Sequence, residues 1–283
     1  MKELIKKVLL DAGADEVGIC EARYYRELIP ILGKGVFPMA CEDIEKRINP
    51  FLIMPSAKSI IVFLVSYKSQ EVGNISSYAY GKDYHLVLEE IAKKGIELLN
   101  QKGYEGYYFA DTGDLCDRHL AYLAGLGFFG KNHFLINEKY GSYIFIGYII
   151  TDCKLPPDEV KVGECKNCGM CENACPTSAL LEGDFSRCLS FITQKKGDLS
   201  DEEKKLIKEC KTIWGCDICQ RVCPHNKNAK DAKNPHFSEN LITELFIPLK
   251  ISNKEFKNMY GKRAFSWRGK NVILRNQETL KTD

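Results

Sequence analysis

The sequence predicts an α/β domain followed by a smaller, cysteine-rich domain. Strand-like and helix-like patterns alternate from the first residue to about residue 155, and such alternation is typical of layered α/β folds. The composition changes after Pro156-Pro157, and nine of the 13 cysteines lie between residues 165 and 223. We therefore divide the chain into residues 1–157, residues 158–228, and a basic segment of mostly helical pattern, residues 229–283.

Apolar periodicity assigns the elements of the first domain in order. Apolar residues from Leu4 to Leu9 recur at helical spacing and predict a helix over residues 1 to about 20, with a strand beginning within Ala14–Ile19. Residues 21 to 57 are loop-rich and contain Pro30, Pro38, Pro50 and Pro55. The further predicted strands are Ser59–Tyr67, Tyr107–Ala110, Phe134–Asn137 and Tyr143–Thr151, and the further helices are Tyr84–Lys102, ended by Gly103, and Asp114–Ala124.

Composition and charge exclude several classes of protein. The 283 residues are 45% hydrophobic and 28% charged, as in a folded globular protein. A net charge of +2 excludes a strongly basic nucleic-acid coat, although not a local basic patch. The apolar runs are far shorter than the ~20 residues of a membrane helix. The N-terminus lacks the apolar core of a secretory signal, so we expect a cytoplasmic protein without a membrane partner.

Two cysteine runs indicate a metal centre. The run C-x2-C-x2-C-x3-C-P that starts at Cys165 has the spacing of bacterial ferredoxins, in which the fourth cysteine ligates the other cluster. The run C-x2-C-x3-C-P that starts at Cys216 is one cysteine short of a repeat. Its missing ligand must come from elsewhere, and the spacing leaves both Cys188 and Cys210 open.

Soft thiolate ligands suit iron–sulfur clusters or zinc. The first run is more specific than a structural zinc site requires, which favours two [4Fe–4S] clusters over zinc and over inert buried thiols. The remaining cysteines are interpreted as ordinary thiols: Cys20, Cys41, Cys116, Cys153 and Cys210. A ferredoxin needs only some 60 residues, so the preceding domain should hold the acceptor of the electrons.

Further stretches carry a resemblance to a known family. They are Tyr78–His85 (YAYGKDYH), Asp111–Arg118 (DTGDLCDR), Ala124–Asn132 (AGLGFFGKN), Cys175–Leu180 (CPTSAL), Arg187–Ser190 (RCLS) and Gly215–Lys227 (GCDICQRVCPHNK). Over roughly residues 1 to 276 the chain resembles the epoxyqueuosine reductases, cobalamin-dependent iron–sulfur enzymes of queuosine biosynthesis in tRNA. Any one stretch alone, apart from the cysteine runs, is a weak signal.

The resemblance implies a fold and a set of cofactors. The first domain would be a nitroreductase-like corrinoid-binding domain that binds cobalamin base-off, and the second a ferredoxin-like domain with two [4Fe–4S] clusters. The implied ligation is crossed, in agreement with the ferredoxin rule, and it selects Cys188 over Cys210. The first cluster would use Cys165, Cys168, Cys171 and Cys223, and the second would use Cys175, Cys188, Cys216 and Cys219.

The resemblance also implies a reaction, the two-electron deoxygenation of an epoxide to an alkene and water. Asp111 matches the family's catalytic aspartate, which would donate a proton. Taken alone, the stretch from Asp111 to Asp114 is better explained by a turn or by a helix N-cap at Thr112 or Asp114, and only the family match favours catalysis. Whether apolar surroundings raise the pKa of Asp111 or Arg118 lowers it stays open.

The cofactor contacts that the resemblance implies are Arg47, Tyr84, His85, Arg118, Lys131, Asn132, His133, Leu135 and Ser190. A solvated charge is the alternative for Arg47, and a core histidine for His85. Lys131 and Asn132 are equally well explained as caps of their loop. Leu88 stands where a cobalt-ligating D-x-H-x-x-G motif needs glycine, which argues against His85 as a cobalt ligand. The G-x-G-x-x-G spacing from Gly125 follows a predicted helix rather than a strand, so it is a poor dinucleotide site.

The implied substrate is the anticodon stem–loop of tRNA, with an external low-potential electron donor, and we expect a monomer. Phosphate contacts would come from Lys250, Lys254, Lys257, Lys262, Arg263, Arg268 and Lys270, with Trp267 to stack on a base. A solubilising charged tail is the alternative. The family often continues into helical repeats after the position of Asn276, so we expect a short form that lacks them. Two other functions therefore remain, a corrinoid reductase of a small molecule and a ferredoxin-type electron carrier.

Overall fold

The computed structural model describes residues 1–32, 40–111, 113–161 and 163–281. Pro38, in the predicted loop, and Thr112, a candidate N-cap, lie outside the described residues. Within those ranges, no helix combines the length and the apolar composition that a membrane crossing requires.

A four-stranded antiparallel sheet forms the centre of the first domain, in the order β1-β2-β6-β3. Its strands are β1 (Glu16–Glu21), β2 (Ser59–Ser66), β3 (Gly106–Ala110) and β6 (Ile144–Thr151), and a second sheet pairs β4 (Phe128–Phe129) with β5 (Leu135–Ile136). Strand β2 is buried along its whole length, which explains its uninterrupted apolar run. Gly147 in β6 faces Phe63, and a Cβ there would lie 2.4 Å from the Phe63 ring.

Helices cover both faces of this sheet. The described helices are α1 (Lys2–Asp11), α2 (Ile29–Leu32), α3 (Ile44–Ile48), α4 (Tyr84–Gln101), α5 (Asp117–Leu123), α6 (Met170–Asn173), α7 (Ala179–Glu182), α8 (Leu189–Gln194), α9 (Asp201–Cys210), α10 (Ile218–Arg221), α11 (Pro235–Ser238), α12 (Asn253–Tyr260) and α13 (Lys270–Lys281). α1 and α4 pack on one face, around Ile91 and Ile149. α5 packs on the other, around Leu120 and Tyr148. The predicted mixed α/β architecture is confirmed, with antiparallel pairing of all the strands of the sheet.

Several predicted boundaries are wrong by a few residues. α1 ends at Asp11, well before residue 20, because Gly13 adopts φ +111° and turns the chain into β1. α5 begins at Asp117 with Cys116 as a cap that makes no side-chain hydrogen bond. Asp114 is therefore not the N-cap of this helix. The pairing of β4 with β5 was not predicted, because two-residue strands carry too little alternation.

The basic C-terminal segment packs into the molecule. Its apolar residues Leu245, Phe256, Phe265 and Ile273 are buried in one core with Trp214 of the cysteine block. The same core includes residues before α4, so the segment packs against both the cysteine block and the chain that leads into α4. The alternative of a solubilising charged tail is therefore wrong for the described part of this segment.

Candidate active site

The four cysteines of the first predicted set converge on one cavity. This cavity has a volume of about 310 Å³, including the part open to solvent, and its lining contains Cys165, Cys168, Cys171 and Cys223. Burial, and then the charges of Cys165 and Cys168, raise the pKa of the Cys223 thiol. Cys168 is exposed whereas Cys171 and Cys223 are buried, so one edge of this site faces solvent.

The cysteines of the second predicted set influence one another electrostatically. Burial raises the pKa of Cys219, and the charges of Cys216, Cys188 and Cys175 raise it further. Burial, with smaller contributions that include Cys188, raises the pKa of Cys216 to about 12. Thiols with such pKa values ionise only when a bound cation offsets the loss of hydration. Cys210 lies at the edge of this group, where it lines a separate pocket with Cys216.

The loop that carries Cys216 and Cys219 of the second set is hydrogen-bonded to the α/β domain. The Ser76 amide donates to the Trp214 carbonyl over 2.7 Å, and the Trp214 indole N–H donates to the Tyr78 hydroxyl over 2.7 Å. The buried carboxylate of Asp217 accepts from the Ser76 hydroxyl and, over 2.7 Å, from the Ser77 amide. These contacts bring Cys216 and Cys219 towards Tyr78. The Tyr78 ring packs edge to face against Tyr84, with the ring centroids 6.3 Å apart.

Asp111 follows β3 in a left-handed backbone conformation, φ +54°. Aspartate tolerates this conformation better than most residues, and such strain is common at active sites. Its side chain is 62% exposed, so a substrate can reach it. The Tyr84 hydroxyl donates a hydrogen bond to Asp111 Oδ2, and the Tyr84 ring stacks on Phe145 at 4.4 Å. Burial, and then the charge of Asp111, raise the pKa of Tyr84 well above 10, so this phenol stays protonated.

His85 lies between two carboxylates at the start of α4. Its Nδ1 is 2.9 Å from Asp83 Oδ1, and its Nε2 is 3.8 Å from Asp111 Oδ2. The same Asp83 oxygen accepts from the His85 amide over 3.1 Å and so caps α4. Burial lowers the pKa of His85, but the hydrogen bond and charge of Asp83 outweigh it, and the pKa lies above 6.5.

Arg118 contacts the loop that leads into β5. Its guanidinium donates to the His133 carbonyl over 3.0 Å and lies 5.3 Å from the Phe134 ring centroid. The described residues contain no ion pair between Arg118 and Asp111. Arg47 donates to the Cys116 sulfur over 3.1 Å, which attaches α3 to the start of α5.

The other predicted cofactor contacts differ in how they face the site. Lys131 forms an ion pair with Glu172 over 3.2 Å. Lys131 and Asn132 both line the cavity that the first predicted set of cysteines surrounds. Leu135 buries its side chain in the core under α5, so only its backbone remains for a ligand. The Ser190 hydroxyl accepts from the Gln194 amide over 3.1 Å, and Gln194 in turn accepts from the Tyr78 hydroxyl.

Two carboxylates near Asp111 were not singled out from the sequence. Burial raises the pKa of Asp117 to about 6, against the opposing charge of Arg118, and the charge of Asp111 raises it further. Asp83 was visible as an N-cap signal before the periodic run of α4, two positions before His85. The contact of Asp217 with Ser76 joins residues far apart in sequence, so no local signal could reveal it.

The fold and the site together define an iron–sulfur oxidoreductase with a mixed α/β domain. Residues 164–226 match the family model of the 4Fe-4S double cluster binding domain, and residues 47–112 match that of epoxyqueuosine reductase QueG, DUF1730. The epoxyqueuosine reductase of Bacillus cereus is 39% identical over 288 residues, covering 93% of this chain and 75% of the relative. The chain belongs to the epoxyqueuosine reductase family. The predictions of this family and of iron–sulfur clusters rather than zinc are confirmed.

Solved structures of this family have the same fold. Epoxyqueuosine reductase from Streptococcus thermophilus matches with a TM-score of 0.86 at 34% identity, covering 99% of this chain and 80% of that one. A structure of an epoxyqueuosine reductase with an epoxyqueuosine-modified tRNA stem loop matches with a TM-score of 0.89 at 33% identity and the same coverage. A catabolic reductive dehalogenase shares the fold alone, with a TM-score of 0.53 at 19% identity over 83% of this chain and 32% of its own.

Replacement of single cysteines distinguishes Cys188 from Cys210 as the ligand of the second cluster. We expect Cys188→Ser to lose about half of the iron after anaerobic reconstitution, because one of two cubanes lacks a thiolate. The matched variant Cys210→Ser should keep the iron content of the wild type. Iron and sulfide analysis with EPR of the reduced protein measures both. Half occupancy in Cys210→Ser with full occupancy in Cys188→Ser would reverse the assignment.

Proposed function

We propose that this protein reduces epoxyqueuosine to queuosine in tRNA, by a two-electron deoxygenation. The observation that carries the proposal is that the loop with Cys216 and Cys219 is hydrogen-bonded to Ser77 and Tyr78. The Tyr78 ring contacts Tyr84, which donates a hydrogen bond to the exposed carboxyl group of Asp111. Electrons from the interior and protons from solvent can therefore meet at one place. Membership of the epoxyqueuosine reductase family supports the same reaction.

The chemistry sets what the chain must supply. Conversion of an epoxide to an alkene and water breaks two C–O bonds and consumes two electrons and two protons. An alkoxide is a poor leaving group, so a proton donor close to the epoxide oxygen lowers the barrier. We assign this role to Asp111, with the Tyr84 hydroxyl holding its carboxyl group in place. Tyr84 remains a hydrogen-bond donor throughout, because its pKa is well above 10.

Cobalamin fits two donors that the chain leaves without partners. Arg47 Nε and Asn132 Nδ2 are buried and have no hydrogen-bond partner among the described residues. A corrinoid offers amide and phosphate oxygens that would satisfy both. When bound, cobalamin would supply a reduced cobalt centre that engages the epoxide. We propose Arg47, Tyr84, His85, Arg118, Lys131, Asn132, His133, Leu135 and Ser190 as its contacts, and a nitroreductase-like corrinoid-binding domain as the fold that holds it.

The clusters would relay single electrons from an external low-potential donor. We propose Cys165, Cys168, Cys171 and Cys223 as ligands of the first cluster and Cys175, Cys188, Cys216 and Cys219 as ligands of the second. Entry at the first cluster is favoured by the exposure of Cys168 and of its neighbour Lys166. The loop with Cys216 and Cys219 is hydrogen-bonded to Ser76 and Tyr78. Because the Tyr78 ring contacts Tyr84, the partner of Asp111, the second cluster suits the later position.

A modified tRNA loop is the proposed substrate, and the C-terminal segment offers part of a surface for it. Trp267 is 55% exposed, and the Arg268 guanidinium lies 3.8 Å from its ring centroid. Such an aromatic–cation pair suits an unstacked base. Arg263 and Lys270 each donate to a backbone carbonyl, of Tyr80 and Ile251, so part of their donor capacity holds the segment in place. We propose that the lysines of α12 and the loop before it contribute to this surface.

An assay of the whole protein tests the proposed function. We expect anaerobically purified protein with both clusters and cobalamin to convert epoxyqueuosine in an anticodon stem–loop when supplied with a chemical reductant. Free epoxyqueuosine nucleoside serves as the matched substrate, and mass spectrometry of the nucleosides measures the product. Turnover of the nucleoside but not of the stem–loop would favour a small-molecule reductase. If neither the stem–loop nor the nucleoside is converted, and cobalamin causes no spectral change, the result would favour a ferredoxin-type electron carrier.

Substitution of Asp111 tests its role as the acid. We expect Asp111→Ala to lower turnover by ~10²-fold or more, because general acid catalysis contributes on this scale. Iron content and the cobalamin spectrum should match those of the wild type. Asp114→Ala, in the same loop, is the control and should retain activity. Wild-type turnover by Asp111→Ala would remove this residue from the mechanism.

The proposed cobalamin contacts are tested by binding alone. We expect Arg47→Ala to weaken cobalamin binding by about tenfold or more, the loss of one charge-assisted hydrogen bond to a buried group. Arg26→Ala, which removes an exposed arginine over Tyr24, is the control. A spectrophotometric titration of cluster-loaded protein with cobalamin measures the affinity. Equal affinities of the Arg47 and Arg26 variants would exclude Arg47 from the contact surface.

A further inference from the structure

We propose that His85 delivers the second proton of the reaction by reprotonating Asp111, and that Asp83 is the positioning residue that holds His85 for this transfer. The inference rests on the proposed function, which consumes two protons, whereas Asp111 carries one. A second proton must therefore pass through Asp111 or beside it during each turnover.

The two ring nitrogens of His85 have different partners. Nδ1 is engaged by Asp83 at 2.9 Å, while Nε2 is buried and makes no hydrogen bond among the described residues. The Asp111 Oδ2 atom lies 3.8 Å from Nε2. A modest movement of the Asp111 loop would close this distance to a hydrogen bond. The free nitrogen therefore points at the group that loses a proton.

The surroundings of His85 contain negative groups and neutral phenols. Asp83 and Tyr84 come from the start of α4, Asp111 from the end of β3, and Tyr108 from β3, where its hydroxyl donates to the His85 carbonyl over 3.3 Å. Burial lowers the pKa of His85, whereas the hydrogen bond and charge of Asp83 and the charge of Asp111 raise it, and the net direction is upward. This environment favours a protonated ring close to neutral pH, as a proton reservoir requires.

The proposed transfers balance. The Asp111 carboxylic acid gives its proton to the epoxide oxygen as the first C–O bond breaks. His85 Nε2–H then gives its proton to the resulting Asp111 carboxylate. Asp111 passes this proton to the same oxygen as the second C–O bond breaks, and water leaves. The two electrons come from the low-potential one-electron donor through the clusters, and solvent reprotonates His85.

Asp83→Asn separates the charge of this residue from its structural role. Asparagine is as good an N-cap as aspartate, so α4 and the fold should be retained. The imidazolium loses its counter-ion, and burial then lowers the pKa of His85 below 6.5. A reaction that needs protonated His85 is lost as pH rises through that pKa. In Asp83→Asn the alkaline limb of the rate profile should therefore move to lower pH by about one unit, with a roughly tenfold lower rate on that limb.

The experiment combines two readouts on cluster-loaded protein. Single-turnover rates with the stem–loop are measured against pH for the wild type, Asp83→Asn and His85→Gln. NMR of ¹³C-labelled histidine, with the His85 signal assigned from His85→Gln, measures the pKa of His85 without cobalamin or substrate. Asp152→Asn is the control, because Asp152 also accepts from a backbone amide, at Glu105 over 2.9 Å, but at the opposite end of β3.

In Asp83→Asn we expect the alkaline limb of the rate profile and the NMR pKa of His85 to shift together to lower pH. In Asp152→Asn both should keep their wild-type values. In His85→Gln the alkaline limb should disappear. An active wild type whose pH profile Asp83→Asn leaves unchanged, while its NMR pKa falls, would overturn the relay alone. An NMR pKa that stays the same in Asp83→Asn would overturn the positioning role of Asp83. A wild type without turnover at any pH would count instead against the proposed function.

Discussion

The attachment of the loop around Trp214 to the segment before α4 is the constraint on which the site depends. A short parallel bridge joins Ile75 to Trp214, and the buried Asp217 carboxylate binds Ser76 and Ser77. Asp217 lies between two cysteines of the second set. A buried carboxylate without these donors would be strongly destabilising, so the loop has one favourable position. In that position, Cys216 and Cys219 lie on a loop that contacts Tyr78, and Tyr78 contacts Tyr84, the hydrogen-bond partner of Asp111.

Polar contacts of the same kind hold the rest of the cysteine block. Gln220 and Asn226, from the second cysteine run, both bind Ser142 at the start of β6, over 2.9 Å in each case. Asn276 in α13 donates to the carbonyls of Thr193 and Ile213. The apolar cluster that lies wholly within this block and α13 is small, with Leu189, Ile192, Leu199 and Ile207 as its buried members. A block with so little core needs both its clusters and these specific hydrogen bonds to keep one conformation.

The sequence predicts what local spacing encodes, and it fails where distant residues meet. The cysteine runs were sufficient for two clusters because the ligand spacing of a cubane is a local property. Spacing alone did not distinguish Cys188 from Cys210 as the missing ligand of the second cluster, because that choice depends on the tertiary fold of the block. The strand at β2 was predicted almost to the residue because burial on both faces gives an unbroken apolar run. The antiparallel order of the sheet and the burial of the C-terminal segment against Trp214 depend on pairing and packing across the chain, which periodicity does not report.

The site brings together two requirements that usually exclude each other. Clusters are protected by burial, and burial raises the pKa of the thiols that must bind the metal, as at Cys216. Proton transfer instead needs contact with water, and the Asp111 side chain has it. A single residue cannot satisfy both, so the chain separates them along one structural path. The path runs from the Trp214 indole through the Tyr78 hydroxyl and the ring of Tyr84 to the carboxyl group of Asp111. Because each step is a direct contact, the loop that carries Cys216 and Cys219 helps to position the exposed carboxyl group of Asp111. In the proposed mechanism, the contacts that hold this loop would therefore also set the geometry of proton donation.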